Sequence, residues 1–220
     1  MSFLQKVRER AEHGSDEELW MLPYSTLMLT LVILFISFYA FSLSNSVEYE
    51  TAIADLASTD TRSGKGEAAK KEVSVAKNID AMITKLGMRD KAQVVMSARY
   101  IKLKLDSPSL FDSGSADLKE GILPLFQALN TQLKEMNNRI FVEGHTDNVA
   151  IHDGRFSSNW ELSASRAFSV ISFFINNGID PARMAAHGFG EYRPAFPNDS
   201  EIGRAKNRRI EITILRGDAE

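Results

Sequence analysis

The sequence predicts one N-terminal transmembrane helix followed by an α/β sandwich, a βαβαββ-type arrangement with one mixed sheet covered by helices. Two observations predict it. The 25 positions from Leu19 to Leu43 carry no Asp, Glu, Lys, Arg or His. Beyond Met88, apolar residues recur first with period two and then at three- and four-residue spacing, the patterns of strands and amphipathic helices sharing one core.

The uncharged run comes first. At about 1.5 Å per residue it is long enough to cross a hydrocarbon core of roughly 30 Å with some tilt. It exceeds the apolar stretch of a signal peptide and no small-residue cleavage site clearly follows, so an uncleaved signal anchor is expected. Lys6, Arg8 and Arg10 precede it, whereas Ser44 to Asp60 has no Lys or Arg and contains Glu48, Glu50, Asp55 and Asp60. The positive-inside rule then keeps residues 1–18 in the cytoplasm and exports the chain after about Ser44. Trp20, Tyr24 and Tyr39 suit interfacial belts or ordinary lipid contact equally.

Residues 44–87 read as a connecting segment. Val47, Ile53 and Leu56 among acids allow a short amphipathic helix on a membrane surface, or simply a polar linker. Ser58 to Lys77 is rich in Ser, Thr, Gly, Lys and Glu and has too little apolar periodicity to offset its ordering entropy, so a linker is expected, helical toward Ala68 to Leu86.

Residues 88–217 are of ordinary domain size. Val94 to Asp106 reads as a strand, with Ile101, Leu103 and Leu105 on one face and Tyr100, Lys102 and Lys104 on the other. Asp117 to Met136 reads as a helix carrying Ile122, Leu125, Phe126, Leu129 and Leu133 on one side, with Pro124 in its first turn. Arg139 to Glu143 is a buried strand. Asn159 to Asn177 is a second amphipathic helix, with Asn159 as a cap and Gly178 closing it. Met184 to Gly188 and Arg209 to Leu215 supply two further strands.

A net charge of −3 gives no general reason to invoke nucleic acid, and the absence of cysteine excludes disulfides, thiolate metal sites and Cys nucleophiles. The four His have no metal-ligand spacing, and no cofactor is expected. His145, Asp147 and Ser163 lack a nucleophile elbow or oxyanion hole, so catalysis is not expected.

Four blocks stand in order: Phe-Val-Glu-Gly-His-Thr-Asp-Asn from Phe141, Asn-Trp-Glu-Leu-Ser-Ala-Ser-Arg-Ala from Asn159, His-Gly-Phe-Gly-Glu-Tyr-Arg-Pro from His187, and Arg-Ala-Lys-Asn-Arg-Arg-Ile-Glu-Ile from Arg204. The series resembles the OmpA-like peptidoglycan-binding domain in the form found in the MotB family of flagellar stator proteins. The resemblance implies a B subunit of a stator unit. It would be dimeric, paired with a MotA-like multispan partner, seated in the cytoplasmic (inner) membrane and holding peptidoglycan through its periplasmic domain.

It also implies a site. Diaminopimelate-type stems present an ammonium and a carboxylate on one carbon, and the family's reading pair falls on Asp147 and Arg166. The planar fork of Arg suits the carboxylate. Thr146, Asn148, Asn159, Leu162 and Ser163 match the flanking motif positions. Arg208 stands with Arg204, Asn207 and Arg209 in the closing block, where structural pairing and ligand contact are both open. Without the resemblance, Asp147 and Arg166 read as ordinary surface charges. Residues 47–56 would correspond to a plug that blocks ion flow.

One position departs from the pattern. Stator B subunits carry an intramembrane Asp in a stretch like Pro-Tyr-Ala-Asp-Leu-Met, and this chain has Pro23-Tyr24-Ser25-Thr26-Leu27-Met28. Thr26 cannot relay ions by titration. A non-conducting tether or assembly protein that binds peptidoglycan is therefore the alternative reading.

Overall fold

The computed structural model describes residues 21–43, 65–151 and 155–217. The expectations for the tail 1–18 and for the segment 47–56 lie outside those residues. The chain divides into two compact units, residues 1–45 and 46–220.

In the first unit, α1 runs Met21–Leu43. It is built from Leu, Met, Ile, Phe and Val with no Gly, and its single Pro23 lies near the start, where no intrahelical N–H is required. The Thr26 and Thr30 hydroxyls donate to the Pro23 and Leu27 carbonyls at 3.0 and 2.8 Å, so both are satisfied within the helix itself. Apolar side chains are exposed along it, including Leu27, Ile33, Phe35 and Phe38. Counted over the described residues alone, no helix is both long and apolar enough to cross a membrane. The helical backbone of α1 nevertheless extends over 23 residues without a charge.

The second unit contains a five-stranded sheet in the order β1-β2-β5-β3-β4. The strands are β1 (Ala92–Met96), β2 (Tyr100–Asp106), β3 (Ile140–His145), β4 (Met184–Gly190) and β5 (Arg209–Leu215). β3 and β4 are parallel and the other pairings antiparallel, which makes the sheet mixed, as expected. Ile101, Leu103, Leu105, Ile140, Val142, Ile210, Ile212 and Ile214 all point to one side, where α4 (Leu123–Lys134) and α5 (Asn159–Asn176) complete the core with Leu125, Phe126, Leu129, Leu133, Ala167, Val170 and Phe174. The one-turn helix α3 (Ser107–Leu110) follows β2, and Pro124 sits in the first turn of α4.

Three details differ from the expectations. Val94 to Asp106 is not one strand but a hairpin: Ser97 Oγ accepts from the Arg99 and Tyr100 amides, and this Ser turn reverses the chain. The sheet therefore starts with the antiparallel pair β1–β2, while β4 and β5 are separated by the short helix α6 (Glu201–Asn207).

The second difference is larger. Residues 65–85, expected within the linker and helical toward Ala68 to Leu86, do form a helix, α2 (Lys65–Lys85), but Val73, Val75, Ala76, Ile79 and Ile83 are buried in the same core rather than in a linker. The folded unit thus starts before Met88. A polar composition concealed an apolar stripe at three- and four-residue spacing that is stable only because β1 and α4 cover it.

Third, Asn159 does not cap α5. Ser158 does, its side chain accepting from the Glu161 amide, which frees the Asn159 side chain for other bonds.

Candidate functional site

The placement of the site begins with glycines. A Cβ on Gly144 in β3 would lie 2.1 Å from the Ser163 carbonyl oxygen, and one on Gly188 in β4 would lie 2.5 Å from the Ala164 nitrogen. Only glycine lets the first turns of α5 settle this close to the sheet. That contact fixes the helix from which Arg166 projects.

Arg166 is buried, with 6% of its surface exposed. Its Nε donates to the Ser115 carbonyl at 2.8 Å, Nη1 to the Ser107 hydroxyl at 3.1 Å and Nη2 to the Asp112 carbonyl at 3.1 Å. The guanidinium also lies 5.1 Å from the centroid of the Phe111 ring. Three of five N–H groups are engaged, which leaves one on each terminal nitrogen. Burial pulls its pKa down to about 10, against the opposing effect of the nearby Asp147 carboxylate, and the side chain stays charged at neutral pH.

Asp147 follows β3 and is also buried. Its Oδ2 accepts from Arg208 Nη1 at 2.6 Å and its Oδ1 from the Val149 amide at 3.2 Å. A carboxylate offers about four acceptor positions, so about two remain. Arg208 is held from its other side by Glu201 at 3.0 Å. Burial acts against the Arg208 charge, but its bonds to Asp147 and Glu201 outweigh it and raise the pKa.

Asp147, Arg166, Thr146, Asn159, Leu162 and Arg208 line one open cleft of about 760 Å³, completed by Ser107, Pro108, Phe111 to Gly114, Lys119 and Val149 to Ile151. Asn159 Nδ2 donates to the carbonyls of Asp147 and Val149 and to Glu191 Oε2, tying the cleft rim together. Thr146 donates to the Asp147 carbonyl.

Asn148 and Ser163 are not among the lining residues. Asn148 is exposed, and Ser163 is fully buried, donating to the Trp160 carbonyl and accepting from the Gly190 amide. Asn207, also fully buried, holds the loop at Ala195, Phe196 and Asn198. Within the closing block, Arg208 faces the cleft and Asn207 serves structure.

Sequence reasoning missed the opposing wall. Ser107, Asp112 and Ser115 grip Arg166 largely through backbone carbonyls, which carry no residue-type signal.

His145 is buried beside this region, and both its ring nitrogens lack a hydrogen-bond partner. It therefore forms no triad with Asp147 and Ser163. Burial and then the neighbouring Arg209 lower its pKa to about 4, and the ring stacks on Phe189 at 5.4 Å. Glu143, His145 and Glu211 place potential metal-ligand atoms within 4.8 Å of one another. Lys102 Nζ already lies 2.6 Å from Glu211 and 3.4 Å from Glu143, and Arg209 lies 2.7 Å from Glu211. Two acids with two cations make a neutralised network, leaving no net negative charge to draw a metal ion.

Residues 110–208 match the OmpA family, and residues 5–59 match the family described as membrane MotB of the proton-channel complex MotA/MotB. A MotB-like protein from Desulfovibrio vulgaris, known from its crystal structure, is 32% identical with a TM-score of 0.62, over 70% of this chain and 99% of that one. The chain belongs to the MotB family. Motility protein B of Bacillus subtilis is 28% identical over 98% of both chains, so the likeness to MotB includes the N-terminal segment. The periplasmic domain of Helicobacter pylori MotB superposes with a TM-score of 0.52 at 28% identity, covering 58% of this chain and 80% of that one. Within this MotB-family chain, the OmpA-matching region contains Asp147, Arg166 and Arg208, and the membrane-MotB region contains Thr26.

Proposed function

We propose that the chain is the peptidoglycan-anchored B subunit of a MotA/MotB-type stator unit, and that the cleft between Asp147 and Arg166 grips the diaminopimelate stem of the wall. The observation that carries this reading is the placing of opposite charges across one cleft, each with hydrogen-bonding capacity to spare. A stem centre bearing an ammonium and a carboxylate matches that pair: the ammonium donates to the free positions of Asp147, and the carboxylate accepts from Nη1 and Nη2 of Arg166. The bond from Arg208 holds the Asp147 carboxylate in place at the cleft. The ligand needs no metal, cofactor or catalytic group.

In this reading α1 crosses the inner membrane with the N-terminus in the cytoplasm and residues 65–217 in the periplasm. At 23 residues and about 1.5 Å each, α1 spans roughly 34 Å. It pairs with a second copy and with a MotA-like multispan protein. Single cysteines placed from Leu27 to Ser37 in this Cys-free chain test the pairing: no disulfide-linked dimer at any position would refute it.

Sedimentation with purified sacculi tests the site. Asp147→Asn and Arg208→Ala are expected to weaken pelleting about tenfold or more, since each leaves a partly buried charge without its partner. Pelleting equal to the unmodified chain would remove the site assignment. Arg166→Ala also disturbs the 107–115 wall, so its binding loss counts only beside an unchanged melting profile.

A second reading, a non-conducting tether, draws on Thr26. Its hydroxyl bonds the helix backbone, and α1 offers no acid to carry a cation.

A further inference from the structure

We propose that Trp160 and Tyr192 form a stacking platform for a pyranose ring of the glycan strand. This second subsite, beside the cleft, would take the sugar that bears the bound stem. The inference rests on the stem-binding reading above. The two rings lie 5.5 Å apart, inclined at 47°, and are 50% and 66% exposed.

The platform is fixed from beneath. Gly190 has φ +53°, and a Cβ there would lie 3.2 Å from Trp160 Cδ1, so the backbone passes close against the indole. The Gly190 amide donates to Ser163 Oγ at 2.9 Å, and Glu191 accepts from Asn159 at 3.0 Å. These bonds pin the turn that carries Tyr192 to the first turn of α5, which carries Trp160. Asn159 is itself a cleft residue, so platform and cleft share a wall.

The chemistry suits a sugar. One face of a pyranose presents C–H groups while its hydroxyls point outward, and a rigid aromatic surface covers such a face at little entropic cost. Two residues separate the stem's reading centre from the sugar, a reach on the order of 10 Å. A folded protein partner would need roughly 800 Å² on this side, far more than two half-exposed rings provide.

The test uses the full chain in detergent with Trp20→Phe, which leaves Trp160 as the only indole of the two in the sequence. Its ligands are the stem tripeptide, the disaccharide-tripeptide and a sugar oligomer without peptide. The disaccharide-tripeptide is expected to bind about tenfold tighter than the tripeptide, consistent with covering on the order of 50 Å² of apolar surface at about 25 cal/mol per Å². Only sugar-bearing ligands should shift the Trp160 emission.

Trp160→Ala and Tyr192→Ala should each remove the tenfold advantage and leave tripeptide affinity unchanged. Trp160→Phe should retain most of it, and Phe168→Ala, an exposed residue two turns along α5, should alter neither. Tripeptide binding with a sugar advantage below twofold, or an advantage that survives both alanine variants, overturns the platform and leaves the stem reading intact. Failure of both peptide ligands to bind overturns the stem reading and the platform together.

Discussion

Arg166 serves both the cleft and the fold: the three bonds that hold the 107–115 wall also point its remaining N–H groups toward the cleft. The sequence made Arg166 legible through its motif, yet its neighbours stayed hidden because they act through carbonyls. Asn159 read as a cap because Asn is a favoured residue type at a helix start, and only the backbone shows that Ser158 holds that place. His145 offers the residue-scale prediction. The unfolded chain binds a proton near the ordinary value of 6.5, whereas the folded chain resists until about 4. Its contribution to stability is therefore complete above 6.5 and is lost as pH falls through that window. Glu211, held at about 2 by Lys102 and Arg209 despite its burial, loses stability in the same direction below 4.5. His145→Phe is expected to flatten the fall in melting temperature between pH 6.5 and 4.5, an effect of about 2 kcal/mol. Equal falls in both proteins would show that His145 carries no such linkage.

At the scale of elements, α5 and β5 were readable because apolar periodicity and final packing agree: Ala167, Val170 and Phe174 pack in the core, as do Ile210, Ile212 and Ile214. α2 was readable as a helix from about Ala68 but not as part of the core, because its stripe of Val73, Ala76, Ile79 and Ile83 lies among Lys, Glu, Ser and Asn. Its polar residues nevertheless bind the unit together. Glu72, 6% exposed, pairs with Arg216 at 3.0 Å and accepts from Asn138 at 2.8 Å, closing the end of β5 against the helix. If α2 is part of the core, Ile83→Ala, at a side chain only 1% exposed, should cost about 2 to 4 kcal/mol in the full chain. Calorimetry or denaturant melting of the full chain measures it. A loss below about 0.5 kcal/mol would return 65–85 to the status of a linker.

Across the whole molecule, the proposed reading joins a grip on the wall to a helix without a charged residue, and in that reading ion transfer turns on position 26. A carboxylate in a membrane cavity carries a cation because its charge alternates as the cation binds and leaves, whereas a threonine hydroxyl remains neutral throughout. Thr26 also has its hydroxyl committed to the Pro23 carbonyl at 3.0 Å, and a dehydrated cation beside it would meet no counter-charge. With residues 47–56 deleted to remove any plug, and with a MotA-like partner co-expressed, the Thr26 form is expected to pass neither protons nor sodium at a stator's rate. Thr26→Asp in the same background should open a leak, read as a fall in intracellular pH or a rise in intracellular sodium on induction. A leak from the Thr26 form would refute the carboxylate argument. Silence from both forms would favour the tether, because a partner cavity built for conduction should respond once its acid is supplied.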